Sequence, residues 1–297
     1  MNNHWQSLIN LVEQCWQQYG ADQPLEGLNI TRSVEPVKSI RTVYRPSLCV
    51  VLAGAKQSAL GHQVFHYRAG ECLLTAIDVP VSAQILDASE ESPYLAFSLA
   101  LNQHLVAELI SDAAQTEMDA TSTVALHTAE VPDELVDPLI RLMNVIMQPR
   151  DIPVLAPLIE REIIWRLLNS QFAAKLKQIG LRESHTSRIS RATRWLRENF
   201  DEPVRVSELA EMASMSVASF HRHFKSLTQL TPVQFQKQMR LQEARRLLLL
   251  EPDVARVGFQ VGYESASQFS RDYRKLFGLS PGQDRKVLRE QIGTSAG

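Results

Sequence analysis
Apolar residues recur along this chain at changing spacings, and the changes divide it into regions. Trp5, Leu8, Ile9, Val12 and Trp16 fall at intervals suited to one face of an amphipathic helix. From about residue 41 to 101 the pattern becomes short apolar or alternating runs: Leu48–Ala53, Lys56–Leu60, Val64–Arg68, Cys72–Thr75, Val81–Leu86 and Tyr94–Leu101. Gly61-His62, Ala69-Gly70, Asp78-Val79-Pro80 and Ser92-Pro93 punctuate them. Closely spaced short runs of this kind predict the strands of a small β-barrel or sandwich. Helical spacing returns at Leu105, Leu109 and Ile110, again at Leu135, Leu139, Leu142 and Ile146, and again from Leu155 to Leu168. Pro157 reads as part of the first turn of that last helix, where a missing N–H is tolerated. Residues 180–188 are polar and aperiodic and read as a linker, and residues 189–288 read as short helices joined by tight turns.

The last region contains a repeat. Phe220, Phe224, Lys225 and Thr231-Pro232 match Phe269, Tyr273, Arg274 and Ser280-Pro281 at an offset of 49 residues. Upstream, Leu209, Ala210, Ala213 and Met215 match Val257, Gly258, Val261 and Tyr263 at an offset of 48. Each copy reads as a helix, a turn and a second helix. The first runs from Val206 to Ala213 with Ser207 as expected N-cap, turns at Ser214-Met215-Ser216, and continues from Val217 with Ser216 available as a cap. The second runs from Val254 to Gln260 and turns at Gly262, where glycine suits a positive φ. Leu241–Leu248 reads as a helix that connects the two copies. In both copies the second helix alternates aromatic residues with small polar and basic ones, the build of a helix that lies in a DNA major groove. The side chains expected at DNA are Ser216, Val217, Ser219, His221, Arg222 and Lys225 in the first copy. In the second they are Ser265, Ser267, Gln268, Ser270, Arg271, Arg274 and Lys275. Gln pairs bidentately with adenine and Arg with guanine, while Lys and Arg neutralise phosphates.

Charge supports this division. The net charge of −2 splits into +6 over residues 182–297 and −8 over the remainder, as expected for a nucleic-acid-binding part joined to a non-binding one. With 44% hydrophobic and 22% charged residues, and no apolar run near the length of a membrane span, the composition is that of a soluble globular chain. The start of the chain lacks the pattern of a secretory signal, and Cys15, Cys49 and Cys72 are odd in number and widely spaced. Both point to reduced thiols in a cytoplasm, with no membrane partner.

On these residues, positions 189–288 resemble the C-terminal domain of AraC/XylS-type transcriptional regulators. The resemblance is carried by Leu209-Ala210, Ala213, Met215-Ser216, Phe220, Phe224-Lys225, Pro232, Arg240, Ala244, Leu247-Leu248, Val261-Gly262-Tyr263, Ser267, Phe269-Ser270-Arg271, Phe277-Gly278 and Ser280-Pro281. It implies seven helices, two recognition helices in successive major grooves, and control of promoter activity, more often activation. Gly258 departs from the family's usual Ala at a helix-propensity cost of about 1 kcal/mol. Gln283-Asp284-Arg285 departs from an aromatic before the Arg, which puts the packing of the last helix in doubt.

Residues 41–101 resemble the cupin-like N-terminal domain of one branch of the same family. Tyr44–Leu52, Gly61, Ala69-Gly70-Glu71 and Asp78-Val79-Pro80-Val81 carry the likeness. The resulting expectation is an α+β chain. A cupin-like barrel with flanking helices over residues 1–181 holds a small effector and mediates dimerisation. Residues 182–188 link it to an all-helical DNA-binding domain over 189–290, with helix-turn-helix units at 206–227 and 254–277. The helices at 133–148 and 153–179 are candidates for a homodimer interface, and a regulator of this kind acts on promoter DNA and RNA polymerase. Tyr44, Arg45, Cys49, Tyr67 and Cys72 are the candidate pocket residues.

No enzyme, cofactor or catalytic residue is expected. Metal-binding cupins use His-x-His, whereas His62 and His66 lie four apart. That spacing counts against the alternative of a metal-cupin enzyme with a DNA-binding tail; the other alternative is a thiol or electrophile sensor using Cys49 or Cys72, which would require a lowered thiol pKa. A methyl-accepting repair protein would need a metal-binding cysteine cluster that this spacing does not supply.

Overall fold
A computed structural model describes residues 3–20, 23–112, 124–181 and 184–294. It divides into two compact units, residues 1–190 with 226–229, and residues 191–225 with 230–297.

The first unit holds nine strands: β1 (Leu28–Ser33), β2 (Val37–Tyr44), β3 (Ser47–Ala53), β4 (Ala55–Leu60), β5 (Gln63–Arg68), β6 (Glu71–Thr75), β7 (Val79–Asp87), β8 (Tyr94–Ala100) and β9 (Leu126–Glu130). They form two antiparallel sheets, β1-β8-β3-β6-β9 and β2-β7-β4-β5. No ladder joins the sheets among the described residues, so the expected cupin-like barrel takes the form of two sheets that do not close. Side chains alternate across the pleat, and in β4 Lys56, Ser58 and Leu60 form the buried row. The expected strands all appear, with their ends shifted by a residue or two. β1, most of β2 and β9 were not anticipated, because β1 carries only two large apolar residues and β9 only Leu126.

Five helices accompany the sheets: α1 (Asn3–Tyr19), α2 (Gln103–Asp112), α3 (Asp133–Ile146), α4 (Ile152–Leu168) and α5 (Ala173–Gly180). α1 buries Trp5, Leu8, Val12 and Cys15, and the Cys15 thiol meets the Met143 carbonyl of α3 at 3.8 Å. Arg141 of α3 is paired with Glu162 of α4. The single helix expected over 153–179 is broken between α4 and α5. Pro157 lies inside α4, and Pro153 takes the first-turn position.

The second unit is helical. α6 (His185–Glu198) leads into it, followed by α7 (Val206–Met212), α8 (Val217–Thr228), α9 (Pro232–Leu247), α10 (Val254–Gln260), α11 (Ala266–Phe277) and α12 (Pro281–Thr294), seven helices among the described residues. Residues 185–188, read as linker, form the first turn of α6, and 182–183 lie outside the described residues. Ser207 is not the N-cap of α7, which Arg205 precedes without a side-chain cap. The connecting helix α9 begins nine residues before Leu241 because Thr231 and Gln234 build a capping box with Pro232 in the first turn. Ser280 and Gln283 repeat that contact ahead of α12, through Ser280 N–H donating to Gln283 Oε1 at 3.2 Å. The repeated Ser/Thr-Pro pairs are thus helix starts.

Candidate nucleic-acid interface and ligand cavity
The sequence repeat reappears in the backbone. Ser214 (φ 52°) and Gly262 (φ 85°) hold left-handed conformations at the same point of the two copies, as do Gln229 (φ 59°) and Gly278 (φ 81°) after the second helix of each. At Gly262 glycine is required twice over, since a Cβ there would lie 2.3 Å from the Asp201 carbonyl oxygen. α8 buries Phe220 and Phe224, whose rings are 5.3 Å apart, and Phe224 meets Phe235 of α9 edge-on at 5.4 Å. α11 buries Phe269 and Tyr273 in a core with Leu241, Ala244, Leu248, Val257 and Val261, while Phe277 is only half-buried.

This burial fixes the opposite faces outward. His221, Arg222 and Lys225 of α8 are exposed, as are Ser267, Gln268, Arg271, Arg274 and Lys275 of α11; Ser219 and Ser270 are half-buried. No carboxylate pairs with Arg222, Lys225, Arg271, Arg274 or Lys275 among the described residues, so these cations remain available to phosphates and base edges. Ser216 and Ser265 have a different task from base contact. Their hydroxyl oxygens cap the two helices, accepting from Ser219 N–H (3.3 Å) and Gln268 N–H (3.4 Å). Val217 is exposed in the first turn of α8.

Two polar clusters hold α11 and α12. The Arg240 guanidinium of α9 donates to the carbonyls of Phe200 (2.7 Å), Asp201 (3.2 Å), Glu202 (3.1 Å) and Gly262 (2.7 Å), and lies over the Tyr263 ring. It ties the segment before α7 to the turn that launches α11. Asp284 of α12 is 2% exposed and accepts two bonds from Arg245 (2.8 and 3.1 Å) and one from the Tyr273 hydroxyl (2.6 Å). Arg285 Nε donates to the Leu248 carbonyl. The departure at Gln283-Asp284-Arg285 is therefore an anchor made of an ion pair instead of an aromatic ring.

The first unit contains a cavity of about 560 Å³, within the range of small-molecule sites. Tyr44, Arg45 and Cys49 line it. Tyr67 and Cys72 do not: the Tyr67 hydroxyl is spent on Ser58 (2.8 Å), and the Cys72 thiol points to the Ala129 carbonyl on the neighbouring strand. Sequence reasoning missed Lys56, Leu73, Thr75, Tyr94 and Phe97, which also line it. The signal was present for Lys56, which shares the inward parity of Leu60 along β4. Lys56 is 9% exposed, and its ammonium lies 5.6 Å from the centre of the Tyr44 ring.

Residues 24–175 match the family described as AraC-type transcriptional regulator N-terminus, and residues 209–287 match a helix-turn-helix domain. The chain belongs to the AraC-type transcriptional regulators. The regulator is similar to the HTH-type transcriptional activator RhaS of Escherichia fergusonii, 32% identical over 105 residues, or 35% of this chain and 38% of RhaS. RhaS of Escherichia coli O1:K1 is 30% identical over 135 residues, 45% of this chain and 47% of its own. The regulator thus spans less than half the length of these curated relatives. Among solved structures, ToxT from Vibrio cholerae with bound unsaturated fatty acid has a TM-score of 0.56 at 10% identity. That match covers 87% of this chain and 94% of ToxT, and at such identity it speaks to the fold.

The regulator's thiols are all free. Burial pushes Cys15 up to about 11 and also raises Cys72. Cys49 is raised by burial too, against the opposing pull of the Lys56 ammonium. A sensing thiolate needs a shift in the other direction. His66 is engaged by Gln57 across β4 and β5 (2.8 Å).

Proposed function
We propose that this regulator binds promoter DNA in a sequence-specific manner and activates transcription in response to a small effector. In this reading residues 189–290 form the DNA-binding part, 182–188 the connection, and 1–181 the effector-binding and dimerisation part. α8 and α11 enter two major-groove segments. Gln268 and Arg271 read base edges, Arg222 and His221 do so from the first copy, and Lys225, Arg274 and Lys275 set the register on phosphates. The observation that carries the proposal is the pair of capped, aromatic-anchored helices whose outer cations have no acidic partner among the described residues. The effector occupies the cavity lined by Tyr44, Arg45, Cys49 and Lys56 and shifts the balance between states that engage DNA and RNA polymerase differently. Homodimerisation is supported by the outer face of α4, where Val154, Leu155, Leu158 and Trp165 are exposed. The regulator works in the cytoplasm, where its DNA lies.

Selection of bound genomic fragments at physiological salt tests the reading. Recovery of a few upstream regions sharing two short elements about one helical turn apart is the expected result. On such a fragment Arg271→Ala weakens binding about 5- to 150-fold, the equivalent of one bidentate base contact. Uniform recovery that disappears with salt, or an Arg271→Ala affinity equal to wild type, overturns the assignment.

A further inference from the structure
Lys56 sits where a lysine is costly. It occupies the buried row of β4 and faces the cavity that Leu73 and Tyr94 also line, and no carboxylate pairs with it among the described residues. Placing an ammonium in such surroundings without a counter-charge is unfavourable. Tyr44 supplies partial compensation, through the face of its ring and a side-chain hydrogen bond to the ammonium, but it carries no counter-charge. The Tyr44 hydroxyl is itself within hydrogen-bond distance of Ser58 (3.0 Å) and Ser58 of Tyr67 (2.8 Å), so the polar groups around Lys56 are neutral hydroxyls. The cavity that Lys56 lines has two cationic residues, Lys56 and Arg45, and no acidic one. Tyr94 also lines it, and its fully buried hydroxyl has no hydrogen-bond partner among the described residues. The remaining wall mixes polar side chains such as Asn29, Thr31 and Thr42 with apolar ones such as Ile40, Val43 and Leu73.

From this arrangement we infer that the cavity takes an organic monoanion, a carboxylate, whose charged end is held by Lys56 and whose body lies along the mixed polar and apolar wall. The inference rests on the reading of the cavity as the effector site and narrows it to one chemical class. A cationic ligand would meet two positive charges. A neutral polyol would find hydroxyl partners but leave the buried ammonium uncompensated. An anion supplies the missing counter-charge, and in a dry site its bond to the ammonium is strong and short. The effector then acts as the counter-ion that completes the inner face of the four-stranded sheet.

Three probes with one body and different heads test this on the full-length protein: phenylbutyrate, phenylbutanol and phenylbutylamine, titrated by calorimetry and by shift of the thermal midpoint. Phenylbutyrate is expected to bind about 10- to 100-fold tighter than phenylbutanol, the factor of one charge-assisted contact, with phenylbutylamine not binding. Lys56→Met abolishes that preference while phenylbutanol binding persists, which shows that the cavity is intact. If phenylbutanol binds wild type as well as phenylbutyrate does, or if the preference survives Lys56→Met, the cavity is a ligand site but the anion class is wrong. Should none of the probes bind wild type, the effector-site reading fails and the inference falls with it. The head-group series on wild type decides the question even where Lys56→Met does not fold.

Discussion

Arg240→Met removes the brace that sets the start of α11 while keeping most of the side chain's apolar bulk. Four carbonyls lose a donor, but not equally. Gln236 Nε2 also donates to Phe200 (3.0 Å) and Glu202 (2.6 Å), so those two keep a partner. Asp201 and Gly262 lose the guanidinium; the exposed Asp201 carbonyl turns to water, whereas the part-buried Gly262 carbonyl left unpaired costs about 1–3 kcal/mol. The crevice along Asp201, Arg240 and Gly262, of about 530 Å³, admits water and softens the penalty. The expected loss is therefore about 1–2 kcal/mol, toward the lower part of the range for one carbonyl. Hydrogen exchange in the full-length protein reads this locally, because the Tyr263 amide donates to Gly258 and the Gly262 amide to Phe259 across the same turn. Exchange in the peptide spanning residues 259–268 accelerates about 5- to 30-fold where it proceeds through unfolding of the DNA-binding unit. Arg240→Lys recovers little of this, since a single ammonium cannot reproduce a planar fork across several carbonyls. An exchange rate in α10 and α11 equal to wild type, for either variant, refutes the brace.

Asp284→Asn strips the charge from a carboxylate that accepts three bonds and leaves Arg245, 25% exposed, without its anion. A loss of about 2–4 kcal/mol is expected, somewhat below the range for breaking a fully buried pair, and urea unfolding of the two proteins checks it. At Gly258 a Cβ would lie 2.9 Å from the Phe269 ring, so Gly258→Ala pits about 1 kcal/mol of helix propensity against about 1–3 kcal/mol of overpacking, and a net loss of stability is expected from thermal melts. Burial holds the Lys175 ammonium down at about 8, below its ordinary value of 10.5. The unfolded chain therefore binds more protons between those values, and folding stability gains as pH rises from about 8 toward 10.5. Urea unfolding across that window should show the rise in wild type and its absence in Lys175→Met.

The second unit was legible because its constraints are local and stated twice. Turn, capping pair and aromatic spacing each recur at a fixed offset, and helical periodicity alone sends Arg271 and Gln268 opposite to Phe269 and Tyr273. What periodicity could not show is that Ser216 and Ser265 are committed to caps. Nor could it show that Asp284, one of three residues departing from the expected pattern, is the anchor of α12. Both facts depend on hydrogen-bond partners that sequence spacing does not identify. The strands were legible wherever apolar runs are dense. They were missed at β1 and β9, whose pairing with β8 and β6 comes from partners nearly 70 and more than 50 residues away.

By itself, then, the sequence determined the element types, the twofold repeat and the outward face of each recognition helix, because these follow from spacing within a dozen residues. Only the tertiary structure decided how the strands divide into two sheets, and which side chains share the cavity between their faces. Lys56, Arg45, Cys49, Tyr94 and Phe97 come from four different strands or the turns beside them, and only the packing of the folded sheets brings them to one cavity.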